Sequence, residues 1–344
     1  MAENRSSVDV EPLHGDRVEN ETDLIQTYLA PLAQPMPGAF GLRDDAALIA
    51  NEPGSDLVVS TDPIIAGVHF LPTDAPADVA WKALAVNVSD VVAKGADPIA
   101  YLLTLALPDA PERAWMGDFA KGLRAAQDAF GCGLIGGDTD RTPGPLSIAV
   151  TIFGHVPSGR FVRRQGAQAG DHVFISGTIG DSALGLLLHR DPALFATVLT
   201  DEGRSELVIR YLQPRPRVEL AETVRTHARA ALDISDGLMK DLSRLTGDLG
   251  LTLKFGDIPL SPPLRAALEA DERVRDAVLG GGDDYELLIA VPPDDVAGFR
   301  DGAAQAGVGI MDVGVLEKSG GLRVVDADGS PITPRRFGYD HFNV

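Results

Sequence analysis

The sequence predicts an α/β fold divided into two domains, and three observations carry that reading. Short apolar runs rich in β-branched residues alternate with segments whose apolar residues recur every three or four positions, the strand and helix signatures respectively. The alternation restarts after Pro157-Ser-Gly159, the strongest linker signal in the chain. At 344 residues the chain exceeds one typical domain, and 44% apolar residues suffice to bury a core in each half. The expected division is therefore a disordered tail over residues 1–21, a first domain over 22–157 and a second over 158–344.

Each element has its own local reason. Thr22 to Ala33 has helical spacing, with Thr22 as the expected cap. Leu57-Val58-Val59 reads as a buried strand that stops near Pro63, which lacks a backbone donor and forces Asp62 toward an extended conformation. Asp78 is the expected cap of a helix over 79–94 closed by Gly95, with Ala80, Leu84, Val88 and Val91 on its core face and Asn87 and Asp90 projecting together. Ile99 to Leu107 is a strand, and Pro111 to Phe130 is an amphipathic helix ending at Gly131. Leu134-Ile135 forms a short strand before paired glycines, and Leu146 to Val156 is a longer one. The second half continues with a strand at 173–175 and a glycine loop, 177–182, opening a helix over 182–189. That helix N-terminus is a candidate anion site. Strands at 230–232 and 287–291 follow, and the chain ends in the aromatic run Phe337-Gly-Tyr-Asp-His-Phe342.

The net charge of -20 excludes a nucleic-acid partner, which would demand a basic face. It also requires that any phosphate-bearing ligand be held by local cations, metals or backbone donors. No run approaches the ~20 apolar residues that span a membrane. The first twenty residues lack the apolar segment of a signal peptide, and the single Cys132 fits a reducing compartment. A soluble, cytoplasmic protein is expected.

Acids recur at strand mouths beside glycines or hydroxyls, at Asp45, Ser60-Thr61-Asp62, Asp138, Asp233 and Asp236, and Asp90 joins them from the helix over 79–94. There is no Walker motif, no G-x-G-x-x-G, no kinase H-R-D or D-F-G set and no Cys/His zinc spacing. Like charges a few ångströms apart cost several kcal/mol even at an effective dielectric of ~20, so convergent carboxylates require divalent cations. An all-oxygen set selects Mg²⁺ or Mn²⁺ over zinc, and several such ions point to a polyphosphate substrate. The residues alone therefore predict a multi-metal enzyme acting on a nucleoside triphosphate.

Ser60-Thr-Asp62 with Gly67-Val-His-Phe70, Asn87-Val-Ser-Asp90, Gly136-Gly-Asp-Thr139, Asp233-Ile-Ser-Asp-Gly237, Gly281-Gly-Asp-Asp-Tyr-Glu-Leu287 and Gly338-Tyr-Asp-His-Phe342 together resemble the thiamine-monophosphate kinase family of the aminoimidazole-ribonucleotide-synthetase superfamily. The likeness runs from Thr22 to Phe342. It implies an N-terminal mixed sheet with helices that builds a homodimer interface, a C-terminal α/β domain, and transfer of phosphate from ATP to thiamine monophosphate with Mg²⁺. It further implies Asp45, Ser60, Thr61, Asp62, Asp90, Asp138, Asp233 and Asp236 as metal ligands. Gly137, Asp138, Arg164 and Ser235 would hold ATP, and His69, Asp283 and Tyr339 would contact the second substrate. Arg164, with metal-bound Asp62 and Asp138, would stabilise charge on the transferred group. Arg43 stands where the family has glycine, and Asp283 where it has glutamate. The alternatives are an ATP-dependent synthetase of the same superfamily, a metal-dependent phosphohydrolase, or a binding module that turns nothing over.

Overall fold

The structure, a computed structural model, describes residues 16–50 and 52–342. Most of the expected tail, residues 1–15, lies outside them. Its last residues are anchored: Val18 is buried, and its N–H donates to Pro111 O (2.9 Å). The first helix starts at Glu21, not Thr22, because the Asn20 side chain accepts from Asp23 N–H (2.9 Å) and caps it. It runs as α1 (Glu21–Leu24), a π turn (Ile25–Leu29) and α2 (Ala30–Ala33). Pro31 cannot donate to the carbonyl four residues back, which accounts for the broken helical ladder.

The N-terminal half is a mixed four-stranded sheet in the order β1 (Ser55–Ile65), β4 (Ser147–Pro157), β2 (Asp97–Leu107), β3 (Gly133–Arg141). β2 and β3 are parallel, and the other pairs are antiparallel. Two helices, α3 (Pro76–Ala93) and α4 (Arg113–Phe130), cover one face. Pro76 opens α3 at its first turn, so Asp78 lies inside the helix and is not its cap. β1 does not stop at Pro63 but pairs through to Ile65. It is an edge strand, where a missing N–H can face solvent. Gly136-Gly137 likewise sits within β3 and not in a turn. At Gly137 (φ +152) a β-carbon would meet Leu103 O at 1.8 Å, so glycine is required by the close approach of β2.

The C-terminal half runs β5 (His172–Ser176), α5 (Asp181–Arg190), α6 (Asp201–Leu212), α7 (Ala221–His227), β6 (Ala230–Asp233), α8 (Leu238–Thr246), β7 (Leu251–Lys254), α9 (Pro262–Ala270), α10 (Arg275–Gly280), β8 (Leu287–Val291), α11 (Val296–Gln305), β9 (Ile310–Val315) and β10 (Leu322–Val325). Strands β6, β8, β5 and β9 form an antiparallel sheet in that order, and β7 and β10 pair in parallel.

The halves meet along α3. Its residues are buried almost all round, against the first sheet on one side and the C-terminal half on the other. Trp81 Nε1 donates to Pro214 O (2.8 Å) and Lys94 Nζ to Ala231 O (2.8 Å). Burying a Val or Leu side chain stabilises by about 1.5–3 kcal/mol, so the apolar residues of α3 that face the second half hold the two halves together. Among the described residues, no helix is long and apolar enough to cross a membrane.

Candidate functional site

A cavity of about 1110 Å³ opens between the halves, walled by the β1 end, α3, α5, the β6–α8 loop, the loop over 280–285 and the C-terminal tail. Strand alternation turns Asp62 toward α3, where Asn87 Oδ1 accepts its N–H (2.7 Å). Asp90, one helical turn on from Asn87, accepts from Ser60 Oγ (2.5 Å). From the other half, β6 ends at Asp233, whose Oδ2 accepts from Ser89 Oγ (2.7 Å). The next loop is shaped by Asp241, which accepts the N–H groups of Ser235, Asp236 and Gly237 (3.1, 2.9 and 3.1 Å). Asp62, Asp90, Asp233, Ser235 and Asp236 all line the cavity.

Their electrostatics record the crowding. Burial, then the neighbouring Asp90, pushes Asp62 up to about 7, and the same two causes push Asp233 up to about 8. Asp236 differs, because Lys240 Nζ (3.0 Å) and Arg244 Nη2 (2.6 Å) already neutralise it. Among the described residues, no three carboxylate, imidazole or thiolate groups stand close enough to form a finished metal sphere. What the cavity holds is an all-oxygen set with too few cations around Asp62, Asp90 and Asp233, a donor chemistry that fits Mg²⁺.

A second group lines the same cavity. Ile65 N–H donates to His69 Nδ1 (3.0 Å), which leaves the ring's proton on Nε2, and burial holds the imidazole below its usual pKa. His69 lies 5.4 Å from the His341 ring, which packs edge-on to Tyr339 at 4.9 Å. The tail that carries them is pinned: Tyr339 N–H donates to Asp236 O (2.8 Å), and Lys240 Nζ donates to Tyr339 O. Asp283 and Asp284 diverge. Asp283 faces the cavity, whereas Asp284 is buried and accepts from Gly180 N–H (2.8 Å) and Ser182 N–H (3.3 Å). The α5 N-terminus expected to hold an anion is therefore already filled by a carboxylate from the chain itself.

The comparisons with known proteins agree in direction. A family model described as AIR synthase related protein, N-terminal domain, matches residues 43–156, and its C-terminal counterpart matches 168–327. A curated thiamine-monophosphate kinase of Caulobacter vibrioides is 40% identical over 326 residues, covering 93% of this chain and 90% of the relative. The chain belongs to the thiamine-monophosphate kinase family. Among solved structures, the thiamine-monophosphate kinase of Stenotrophomonas maltophilia K279a matches with a TM-score of 0.78 at 37% identity, covering 88% of this chain and 95% of that one. A structure described as AaThiL complexed with AMPPCP and TMP matches at 0.72 and 31% identity, covering 93% and 97%.

The residues that the kinase-family likeness implies fall into two groups. Asp62, Asp90, Asp233, Ser235, Asp236, His69, Asp283 and Tyr339 line the cavity, with Ser60 bound to Asp90 behind it. Asp45, Thr61, Gly137, Asp138 and Arg164 do not. Thr61, next to Asp62 but turned the other way, donates to Val150 O (3.0 Å) on the outer face. Asp138 pairs in register with Thr104, also exposed, on the far edge strand. Three strand spacings separate the two edges, roughly 14 Å, and the sheet itself lies between Asp62 and Asp138. Asp45 is exposed, in a stretch whose Ala47 and Ile49 pack against the small cluster of Ala33, Ala39, Ala100 and Ile135. Arg164 is exposed on the segment joining the halves, near enough to Lys94 to help lower it to about 8, after burial.

The site is also supported, from behind its lining, by residues that the sequence analysis does not single out: Lys82, Ser89 and Asp241. Lys82 had a usable signal, since a lone charge in Val79-Ala-Trp-Lys-Ala-Leu-Ala-Val86 must be paired if the helix is buried all round. Ser89 and Asp241 act on groups far away or on local backbone, and carried none.

Proposed function

We propose that this chain transfers the γ-phosphoryl group of ATP to the phosphate of thiamine monophosphate, giving ADP and thiamine diphosphate. The observation that supports this most is the acidic group at Asp62, Asp90 and Asp233 sharing one cavity with the neutral, donor-bearing His69 and the Asp283–Tyr339 wall. Asp62, Asp90 and Asp233 would hold Mg²⁺, with Asp236 at their margin. Bound there, the ions would neutralise charge on the donor and acceptor phosphates.

The residues themselves supply position and charge. A phosphate monoester has a second pKa of about 6, so the attacking oxygen is already an anion at neutral pH and no general base is required. His69 could not serve as one through Nδ1, which is engaged by Ile65 N–H. Its Nε2–H is instead a donor for an anionic oxygen. Arg336 lines the cavity and would supply a local cation of the kind a strongly acidic chain needs to admit phosphates, whereas Arg273, also in the lining, is already paired with Asp271 (2.5 Å).

The outer-face residues enter through a homodimer. Leu57 and Val59 are about half exposed on β1, beside Thr61. Apolar residues left exposed in a row on a sheet face that the 33–49 segment covers only in part are the mark of an interface. Joined by that face, one protomer would offer Thr61, Gly137, Asp138 and Asp45 to the partner's cavity, a reach that the sheet denies within one chain. Use of ATP and a lone buried thiol fit a cytoplasmic setting.

The test is to incubate the protein with ATP, Mg²⁺ and thiamine monophosphate and follow products by mass. Thiamine diphosphate should form in step with ADP. ADP and inorganic phosphate without thiamine diphosphate would instead favour a synthetase relative, and phosphate released without ATP a phosphohydrolase.

A further inference from the structure

We propose that Lys82 is a positioning residue for the thiamine-phosphate end of the cavity; the assignment rests on the function proposed above. Lys82 lies on α3 and is buried, outside the cavity lining. All three of its partners line the cavity. Its Nζ donates to Asp283 Oδ2 (2.8 Å) and to His69 O (3.0 Å), and stands 3.9 Å from the centre of the Tyr211 ring. One ammonium group thus joins the loop after β1, helix α6 and the loop over 280–285, three elements from both halves of the chain.

The Asp283 loop needs such a hold. Asp283 (φ +69) and Tyr285 (φ +51) are both left-handed without being glycine, a conformation that persists only where the surroundings enforce it. The backbone supplies part of that: Asp283 N–H donates to Ser235 O (2.9 Å). The carboxylate is fixed chiefly by Lys82, since the other neighbour, Tyr285 Oη, lies at 3.4 Å from Oδ1. The bond is sealed on one side only: the Lys82 ammonium is 2% exposed and cannot turn to water, so it holds the cavity-facing Asp283 carboxylate in place. Lys82 bonds to none of Asp62, Asp90 or Asp233, so its direct hold is on the His69 and Asp283 end of the site. A merely structural lysine would, when removed, weaken the fold and both substrates alike.

The experiment compares KM for thiamine monophosphate, KM for ATP, kcat and melting temperature in wild type, Lys82→Met and Lys82→Arg. Lys82→Met should raise KM for thiamine monophosphate on the order of tenfold or more, the size of a lost charge-assisted hydrogen bond, with KM for ATP near wild type. Lys82→Arg, which keeps a cation but not the compact head, should fall between the two. Unchanged KM for thiamine monophosphate, or an equal loss for both substrates, would overturn the proposal. If Lys82→Met does not fold, Lys82→Arg alone decides by the same selectivity. A wild-type protein that makes no thiamine diphosphate would overturn the underlying function instead, before any variant is compared.

Discussion

The two faces of the N-terminal sheet carry the same kinds of residue and put them to different use. On the inner face Asp62 meets Asp90 and Asp233 beneath α3, where burial and then the Asp90 charge raise the proton affinity of both Asp62 and Asp233. On the outer face Thr61 stands exposed beside Leu57 and Val59 on one edge strand, and Asp138 stands exposed on the other. One residue of register separates Thr61 from Asp62, and under the dimer proposed above that step would decide whether a side chain serves its own chain's cavity or its partner's. The comparison teaches that a motif contiguous in sequence need not be contiguous in a site.

The largest expected effect breaks the inner face. Asp62→Asn should cost roughly 10²–10³-fold in kcat, as expected for a lost electrostatic contact to reacting groups. Without divalent cations it should melt no lower than wild type, because it removes a crowded charge. A melting temperature well below wild type would show Asp62 to be structural. Asp138→Asn should lose activity to a similar degree while its melting temperature stays put, the exposed carboxylate having no buried partner to strand.

Mg²⁺ offers the next contrast. It should raise the wild-type melting temperature, since a ligand at a hundred times its Kd stabilises by about 2.7 kcal/mol, and the gain should shrink in Asp233→Asn. An undiminished gain would place the ions elsewhere. A smaller effect sharpens the outer face: Val59→Asp sets like charges against each other across a two-fold interface and should shift sedimentation from dimer to monomer. Smallest of all, Cys132 is a built-in control. Burial pushes its thiol up to about 12, so thiol reagents at pH 8 should leave it unmodified in every outer-face variant whose sheet is intact.

Much of this was legible in the sequence because it is local. The apolar runs at 57–59, 99–107 and 230–232 lie within the strands expected of them. Leu57 and Val59, however, are half exposed and not buried, because they face away from the helices. The same period of two separates Thr61 from Asp62, which the Ser60-Thr61-Asp62 motif groups together. Three features were hidden because they depend on neighbours distant in the chain. β1 runs through Pro63 because it is an edge strand, which only the sheet order reveals. Gly137 serves the approach of β2, and no glycine pattern distinguishes that from a phosphate loop. The α5 N-terminus looked like an anion site until Asp284, about a hundred residues on, proved to occupy it.

The central claim, that the two faces cooperate across a dimer, has a direct measurement. Asp62→Asn and Asp138→Asn proteins, each inactive, are mixed, dissociated and reassociated, and thiamine diphosphate formation is followed. If each site draws Asp62 from one protomer and Asp138 from the other, half of the dimers carry one intact site, and about a quarter of wild-type activity should return. No recovery, with heterodimers verified by mass, would contradict the account and return Asp138 to its own chain.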